Sequence, residues 1–259
     1  MSSLVQQPLA GGLKVEATSA PTQVQYWPQI NALRVLAVAF VLGDHYLGYY
    51  FTKTGFSGSH GVYLFFVISG FLITSILLSY RDEVDTGETS VGGQLKRFYA
   101  RRSLRIFPIY YLTLFAMMAA GQFKDADNFL WLLTYTQNIY AAIKGDWGQL
   151  GHFWSLATEE QFYLVWPLVV LLAPRKSLVW ILVGAIALAI GFRLEGALTG
   201  QGGELAYYTL PIASLDTLGL GALLALAPLD RFETARAMFR KYGVLLLLPV
   251  FLIIPLRPT

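Results

Sequence analysis

Apolar runs of membrane-span length recur near residues 30–51, 60–80, 106–121, 153–173, 178–195, 207–227 and 242–257, separated by shorter polar stretches. About 20 predominantly apolar residues let a helix cross a bilayer, so the pattern predicts an all-α, polytopic bundle with about 7–8 membrane segments. Segment 128–143 differs, because Asn128, Gln137 and Asn138 interrupt a short apolar run. Residues 81–94 are polar and contain glycine, which predicts a loop. Residues 95–105 mix basic and apolar side chains at helical spacing, the pattern of a helix lying along the membrane surface. Pro108 then falls in the first turn of the next span, where its missing N–H costs nothing. Residues 1–25 are rich in Gln, Ser, Thr, Pro and Gly and lack a signal-peptide core, so they read as a flexible tail before a membrane domain over 26–259.

Charge sharpens this picture. The chain is 55% hydrophobic and 14% charged, whereas a soluble domain has about 25% charged residues, so most of it belongs in lipid. A net charge of +3 is too small to suggest nucleic-acid binding. The absence of cysteine excludes disulfides, thiolate catalysis and cysteine zinc sites, and no metal is expected. Lys and Arg cluster in 81–105 (Arg81, Lys96, Arg97, Arg101, Arg102, Arg105), at Arg175 and Lys176, and in 228–241. The positive-inside rule places all three groups in the cytoplasm. An even number of crossings must then separate Arg105 from Arg175, and 106–121 with 153–173 supply two. Segment 128–143 is therefore expected to be re-entrant or to lie along the outer surface, beside a cavity that satisfies its backbone.

Within the first span stand Arg34, Asp44 and His45. An ionisable group at bilayer depth needs a partner or a water-filled cavity. His45 follows Arg34 by eleven residues, a step that returns to within about 20° of the same helix face and rises about 16 Å. One face thus carries both at two depths. His45 is either a buried imidazole bonded to a neighbouring helix or a group that takes and returns a proton. Asp44 points about 100° away from it and faces another helix or the mouth of the span. Arg101, Arg102 and Arg105 share neighbouring turns, which suits either a topology signal or a grip on phosphates. In 151–163, His152, Ser155 and Glu159 occupy adjoining turns. Glu159 either stabilises a helix start or serves as counter-ion to an imidazole or an arginine. Ser69 and Gly70 offer a small pair for close helix packing.

The order of these elements carries more than any one of them. Arg34 with His45, then GVYLFFVISGFLI at 61–73, RRSLRIFPIYY at 101–111 and HFWSLATEEQFYLVWP at 152–167 together resemble the acyltransferase family 3 membrane proteins. The resemblance implies a multi-pass enzyme of the bacterial inner membrane that moves an acyl group, commonly acetyl, from cytosolic acyl-CoA to a carbohydrate or glycolipid acceptor. By motif, Arg34 and His45 match the family's arginine and histidine in the first helix. Arg101, Arg102 and Arg105 match its RRxxR element, linked to the CoA phosphates, and Ser69 and Gly70 match its SGxL element. Trp154, Ser155 and Glu159 match WSLxxE, His152 precedes that segment, and Asp216 resembles the acidic position of a later helix. General-base and acyl-histidine routes through His45 both stay open.

Three departures stand beside the match. Tyr63 occupies a place where the family often has aspartate, and Ser214 one where an arginine is frequent before Asp216. Family chains run to about ten helices, so a chain ending at Thr259 reads as incomplete at its C-terminus, or as one completed by self-association. The competing readings are a transporter in which Arg34, Asp44 and His45 line a proton or substrate path, and an inactive membrane scaffold. Transporters often carry internal repeats, and none is visible here.

Overall fold

The computed structural model describes residues 28–227 apart from 54, 124, 125, 201 and 202. The expected tail at 1–25, the span at 242–257 and the basic stretch 228–241 lie outside the described residues. The described residues are all-α and contain no strand. In order they form α1 (Pro28–Leu47), α2 (Tyr49–Thr52), α3 (Gly58–Asp85), α4 (Val91–Ala119), α5 (Ala126–Leu133), α6 (Gln137–Lys144), α7 (Phe153–Leu172), α8 (Arg175–Thr199), α9 (Ala206–Thr209), a 3-10 turn at Pro211–Ser214, and α10 (Leu215–Leu226).

Helix starts and stops follow local chemistry. At the start of α3 the Ser57 N–H donates to His60 Nδ1 at 3.0 Å, so this imidazole serves as a cap. At the start of α4, Ser90 Oγ accepts from the Gly93 N–H at 3.1 Å. Gly145 and Gly200 end α6 and α8 in the left-handed conformation.

Three expectations are corrected. Residues 81–94 are not a loop throughout: α3 runs to Asp85 and α4 starts at Val91, so only 86–90 connect them. Residues 95–105 do not form a separate surface helix ahead of a span starting near 106; α4 runs unbroken from Val91 to Ala119 with Pro108 inside it. A proline removes one backbone hydrogen bond, and packing around it can hold the helix together; here Phe107 lies 5.4 Å and Tyr110 4.0 Å from the ring of Tyr135. The span expected at 207–227 is broken into α9, the 3-10 turn and α10. Pro211 confines Leu210 to an extended conformation (ψ 146°), which a continuous helix cannot accept. Segment 128–143 does not form one continuous helix. It folds into α5 and α6, eight residues each, and at about 12 Å apiece neither can cross a bilayer.

Three described helices are long and apolar enough to cross a membrane: Gln29–Leu47, Gly58–Asp85 and Arg175–Thr199. The lengths of α4 and α7 also suffice, and these two carry Arg101, Arg102, Arg105, Glu159 and Glu160. Large apolar side chains such as Val35, Leu104, Trp180 and Leu198 face outward, as they must in a bundle solvated by lipid. The centre is α3, packed against α1, α7 and α10. Phe66, Ile73 and Leu77 of α3, Tyr163, Trp166 and Val170 of α7, and Leu218 and Ala222 of α10 form the main core.

Glycines set how closely α3 is approached. A Cβ on Gly70 would lie 2.0 Å from the Leu218 carbonyl oxygen, and one on Gly221 would lie 2.0 Å from that of Val67. Small residues that let backbones touch are the usual basis of helix association in lipid. Gly70→Ala is therefore expected to lower the unfolding midpoint in detergent, at a cost of about 1–3 kcal/mol or more. Gly184→Ala, inside α8 where a Cβ meets nothing within 4 Å, should leave the midpoint unchanged or raise it slightly.

Ion pairs close one end of the bundle. Arg175 of α8 pairs with Asp82 and, at 2.9 Å, with Asp85 of α3, and Arg81 donates to the Val170 and Ala173 carbonyls at the end of α7. Two of the basic clusters read from the sequence thus meet at the C-terminal end of α3.

Candidate active site

The sequence-predicted residues separate into two layers. One lies at the N-terminal end of α3, where the last turn of α1 meets the first turn of α3, the start of α7 and the short helix α9. Asp44, His45, Ser59, Trp147, Trp154 and Tyr208 are among the residues lining a cavity of about 260 Å³ there. His45 is exposed, and its ring touches that of Tyr46 edge-on at 5.2 Å. Asp44 shares the cavity but leans on α3: a Cβ on Gly58 would stand 2.8 Å from its Oδ2. A carboxylate beside the first turn of a helix is favoured by the helix dipole. His152 is partly exposed, with its ring 4.9 Å from that of Phe153. Burial first, and the nearby His45 imidazole second, hold His152 below the ordinary histidine value, so it is neutral at pH 7.

The second layer lies deeper, where α3, α4 and α7 meet. Ser69 Oγ donates to Glu159 Oε1 at 2.6 Å. Arg102 Nε donates to Glu160 Oε1 at 3.1 Å, its Nη2 lies 4.0 Å from Glu159 Oε2, and its guanidinium stacks 3.9 Å above the Tyr163 ring. All three charged side chains are less than one-fifth exposed. Arg34 lies within electrostatic range of Glu159 and forms no hydrogen bond or ion pair among the described residues. Arg101 is exposed and donates to the Tyr80 hydroxyl at 3.1 Å. Arg105 is exposed with no polar partner among the described residues.

This geometry resolves alternatives that spacing left open. The trio His152, Ser155 and Glu159 does not act as one unit. Ser155 Oγ donates to the His152 carbonyl at 3.2 Å, helping start α7, while Glu159 turns inward to Ser69 and Arg102. Glu159 is thus the counter-ion of an arginine and is not placed against the His45 imidazole. Gly70 is where α10 touches α3. Asp216 pairs with Arg193 of α8. That cation reaches α10 from a neighbouring helix, while Ser214, standing where an arginine is frequent, has a buried hydroxyl with no partner among the described residues.

Several residues of the site escaped sequence reasoning. Tyr208 comes from a short-helix position with no motif around it, whereas Trp147 was legible as an outer-side aromatic suited either to stacking on a sugar face or to interfacial anchoring. Tyr163 was one apolar-run residue among many, and Arg193 sat near the end of a long apolar stretch. Tyr135 holds φ at 57° and is buried in the aromatic cluster beside Tyr110. His60 could have been found, since Ser57 three residues earlier has the spacing of a reciprocal cap.

An accessible imidazole above a layer of arginines and carboxylates, inside a lipid-facing helical bundle, is the equipment of an integral membrane enzyme. The family profile described as an acyltransferase domain matches residues 27–256, and the chain belongs to that family, acyltransferase family 3. Membership favours group transfer over transport. The peptidoglycan O-acetyltransferase OatA of Listeria monocytogenes is 31% identical over 231 residues, covering 81% of this chain and 35% of that protein. A Staphylococcus aureus protein provisionally named an O-acetyltransferase is 30% identical over 225 residues, covering 78% and 35%. YrhL of Bacillus subtilis, with a provisional name of the peptidoglycan O-acetyltransferase kind, is 27% identical over 248 residues, covering 82% and 35%. The chain thus spans about a third of the length of the curated relatives it matches. No solved structure matches it.

Proposed function

We propose that this chain is the membrane portion of an O-acyltransferase that takes an acetyl group from acetyl-CoA on the cytoplasmic side and delivers it to a carbohydrate hydroxyl at the opposite face. The observation that carries this reading is the stacking of the two layers, an open cavity with His45 at one end and, deeper, open cations beside a fixed arginine–glutamate network. The positive-inside rule assigns the end closed by Arg81 and Arg175 to the cytoplasm, which turns the His45 cavity outward. The names of the relatives point to a cell-wall glycan as acceptor. A site in the bacterial inner membrane is what membership of the family implies.

Arg34, Arg101 and Arg105 hold the phosphates of the donor through charge-assisted hydrogen bonds, for which guanidinium is suited by its planar fork. Arg102, fixed between Glu159, Glu160 and Tyr163, holds α4 in place and adds to the same positive field. His45 takes the proton of the acceptor hydroxyl as its oxygen bonds to the thioester carbonyl carbon. The C–S bond then breaks, and the imidazolium returns the proton to the departing thiolate, leaving an ester, a free thiol and a neutral His45. Asp44 lines the same cavity.

Calorimetric titration of acetyl-CoA into the protein in nanodiscs tests the donor half. Saturable binding is expected for the unaltered chain, with at least a tenfold loss for the Arg101→Ala, Arg105→Ala double variant. Equal binding by both would remove the arginine element from the donor site, and no binding by a well-folded chain would remove the donor.

A further inference from the structure

We propose that Trp147, Trp154 and Tyr208 form a subsite for a single pyranose ring of the acceptor, with the indole of Trp147 as the stacking surface; this rests on the transferase reading above. The cavity beside His45 has a mixed lining. Asp44, His45 and Ser59, from α1 and α3, contribute hydrogen-bonding groups, and Trp147, Trp154 and Tyr208, from a loop, α7 and α9, contribute aromatic surface. A pyranose has the matching mixture, hydroxyls around its edge and a patch of C–H groups on one face. The volume of about 260 Å³ falls below the roughly 300–1,000 Å³ of drug-sized sites, so one ring fits and a longer glycan must continue outward.

Orientation separates this role from membrane anchoring, the usual task of tryptophan near an interface. An anchoring indole faces lipid. Trp147 instead meets Tyr208 edge-on at 5.8 Å and Trp154 at 6.4 Å, while Trp154 and Tyr208 are 4.7 Å apart. Trp154 is 4% exposed and forms the floor; Trp147 is 39% exposed, leaving part of its ring open. The Tyr208 hydroxyl donates to Ser59 Oγ at 3.0 Å, tying the aromatic residues to the polar ones.

A buried polar network holds the two aromatic segments in place. Gln137 Nε2 donates to the Trp147 carbonyl at 2.8 Å. Asn138 and Gln161 exchange side-chain amide bonds at 2.9 and 3.0 Å. Thr209, next to Tyr208, donates to the Asn138 carbonyl at 2.9 Å, and its own carbonyl accepts from Thr158 at 2.9 Å. Satisfied buried networks specify one arrangement. Gly148 closes the Trp147 turn at φ 61°, where a Cβ would stand 2.2 Å from Asn128 Nδ2, so no other residue fits without a shift.

The test uses the full chain in nanodiscs without acyl donor, titrated with methyl N-acetyl-β-glucosaminide and followed by saturation-transfer NMR and tryptophan fluorescence. The unaltered chain should bind saturably. Trp147→Ala should weaken binding at least tenfold, Trp147→Phe should recover most of it, and acetyl-CoA heats should be the same in all three. Absent sugar binding by a chain that still binds acetyl-CoA, or equal sugar binding by Trp147→Ala, would overturn the subsite. Sugar binding lost in Trp147→Ala, in a chain that never binds acetyl-CoA, would support the subsite and sink the transferase reading instead.

Discussion

His45→Ala is expected to lower acetyl transfer by about 10²–10⁴-fold, the usual worth of a positioned general base, while insertion and thermal stability stay unchanged. Separation of the two effects follows from the surroundings of the ring. His45 is exposed, makes no hydrogen bond among the described residues and meets Tyr46 alone in ring contact, so its removal leaves no buried group unpaired. His60 supplies the contrast, since it is buried at 8% exposure and caps α3, and its loss should act on folding. Radiolabelled acetyl transfer into membrane glycans, normalised to the protein present in the membrane fraction, reads the outcome. Near-normal transfer by His45→Ala would assign the proton to another group.

Arg102→Ala should have the largest effect on stability, about 3–5 kcal/mol, because it strands two largely buried carboxylates. Glu159 and Glu160 are 16% and 13% exposed at the side chain, and Arg102 is their shared cation. Neutralising the carboxylates as well, with Glu159→Gln and Glu160→Gln in the Arg102→Met background, should recover much of the loss, since an unpaired buried charge costs more than a missing pair. Unfolding midpoints across the set give the coupling energy directly. An Arg102→Ala protein as stable as the unaltered chain would mean that the network does not hold α4 to α7. Loss of acetyl-CoA binding in that variant would then need the Arg101 and Arg105 result beside it before it could be read as a donor contact.

The division between what spacing revealed and what it hid is physical. Arg34 and His45 could be placed on one helix face because helical geometry alone relates them. The failure of 128–143 to span was legible because Asn128, Gln137 and Asn138 break its apolar run and because the charged ends on either side had to match. Partnership was not legible. Glu159 is eleven residues from Val170 along its own helix, but its partners Ser69 and Arg102 come from two other helices. The aromatic lining is assembled from a loop, the start of α7 and a four-residue helix, three places that periodicity cannot relate. Pro108 and Pro211 show the same limit. The first leaves α4 intact because neighbours pack around it, and the second interrupts its segment, a difference set by tertiary context.

The length of α3 ties the two layers mechanically. Ser59 borders the sugar-sized cavity, Ser69 holds Glu159, and Gly70 rests on the backbone of α10. With that contact as a fulcrum, eleven residues of helix form a lever arm of about 16 Å, and a tilt of about 5° carries Ser59 through about 1.4 Å. That displacement is comparable to the difference between a hydrogen bond and none. Lipid thickness, which biases helix tilt, would thereby act on the fit between the proposed acceptor and His45, and the same chain should work at different rates in thin and thick bilayers.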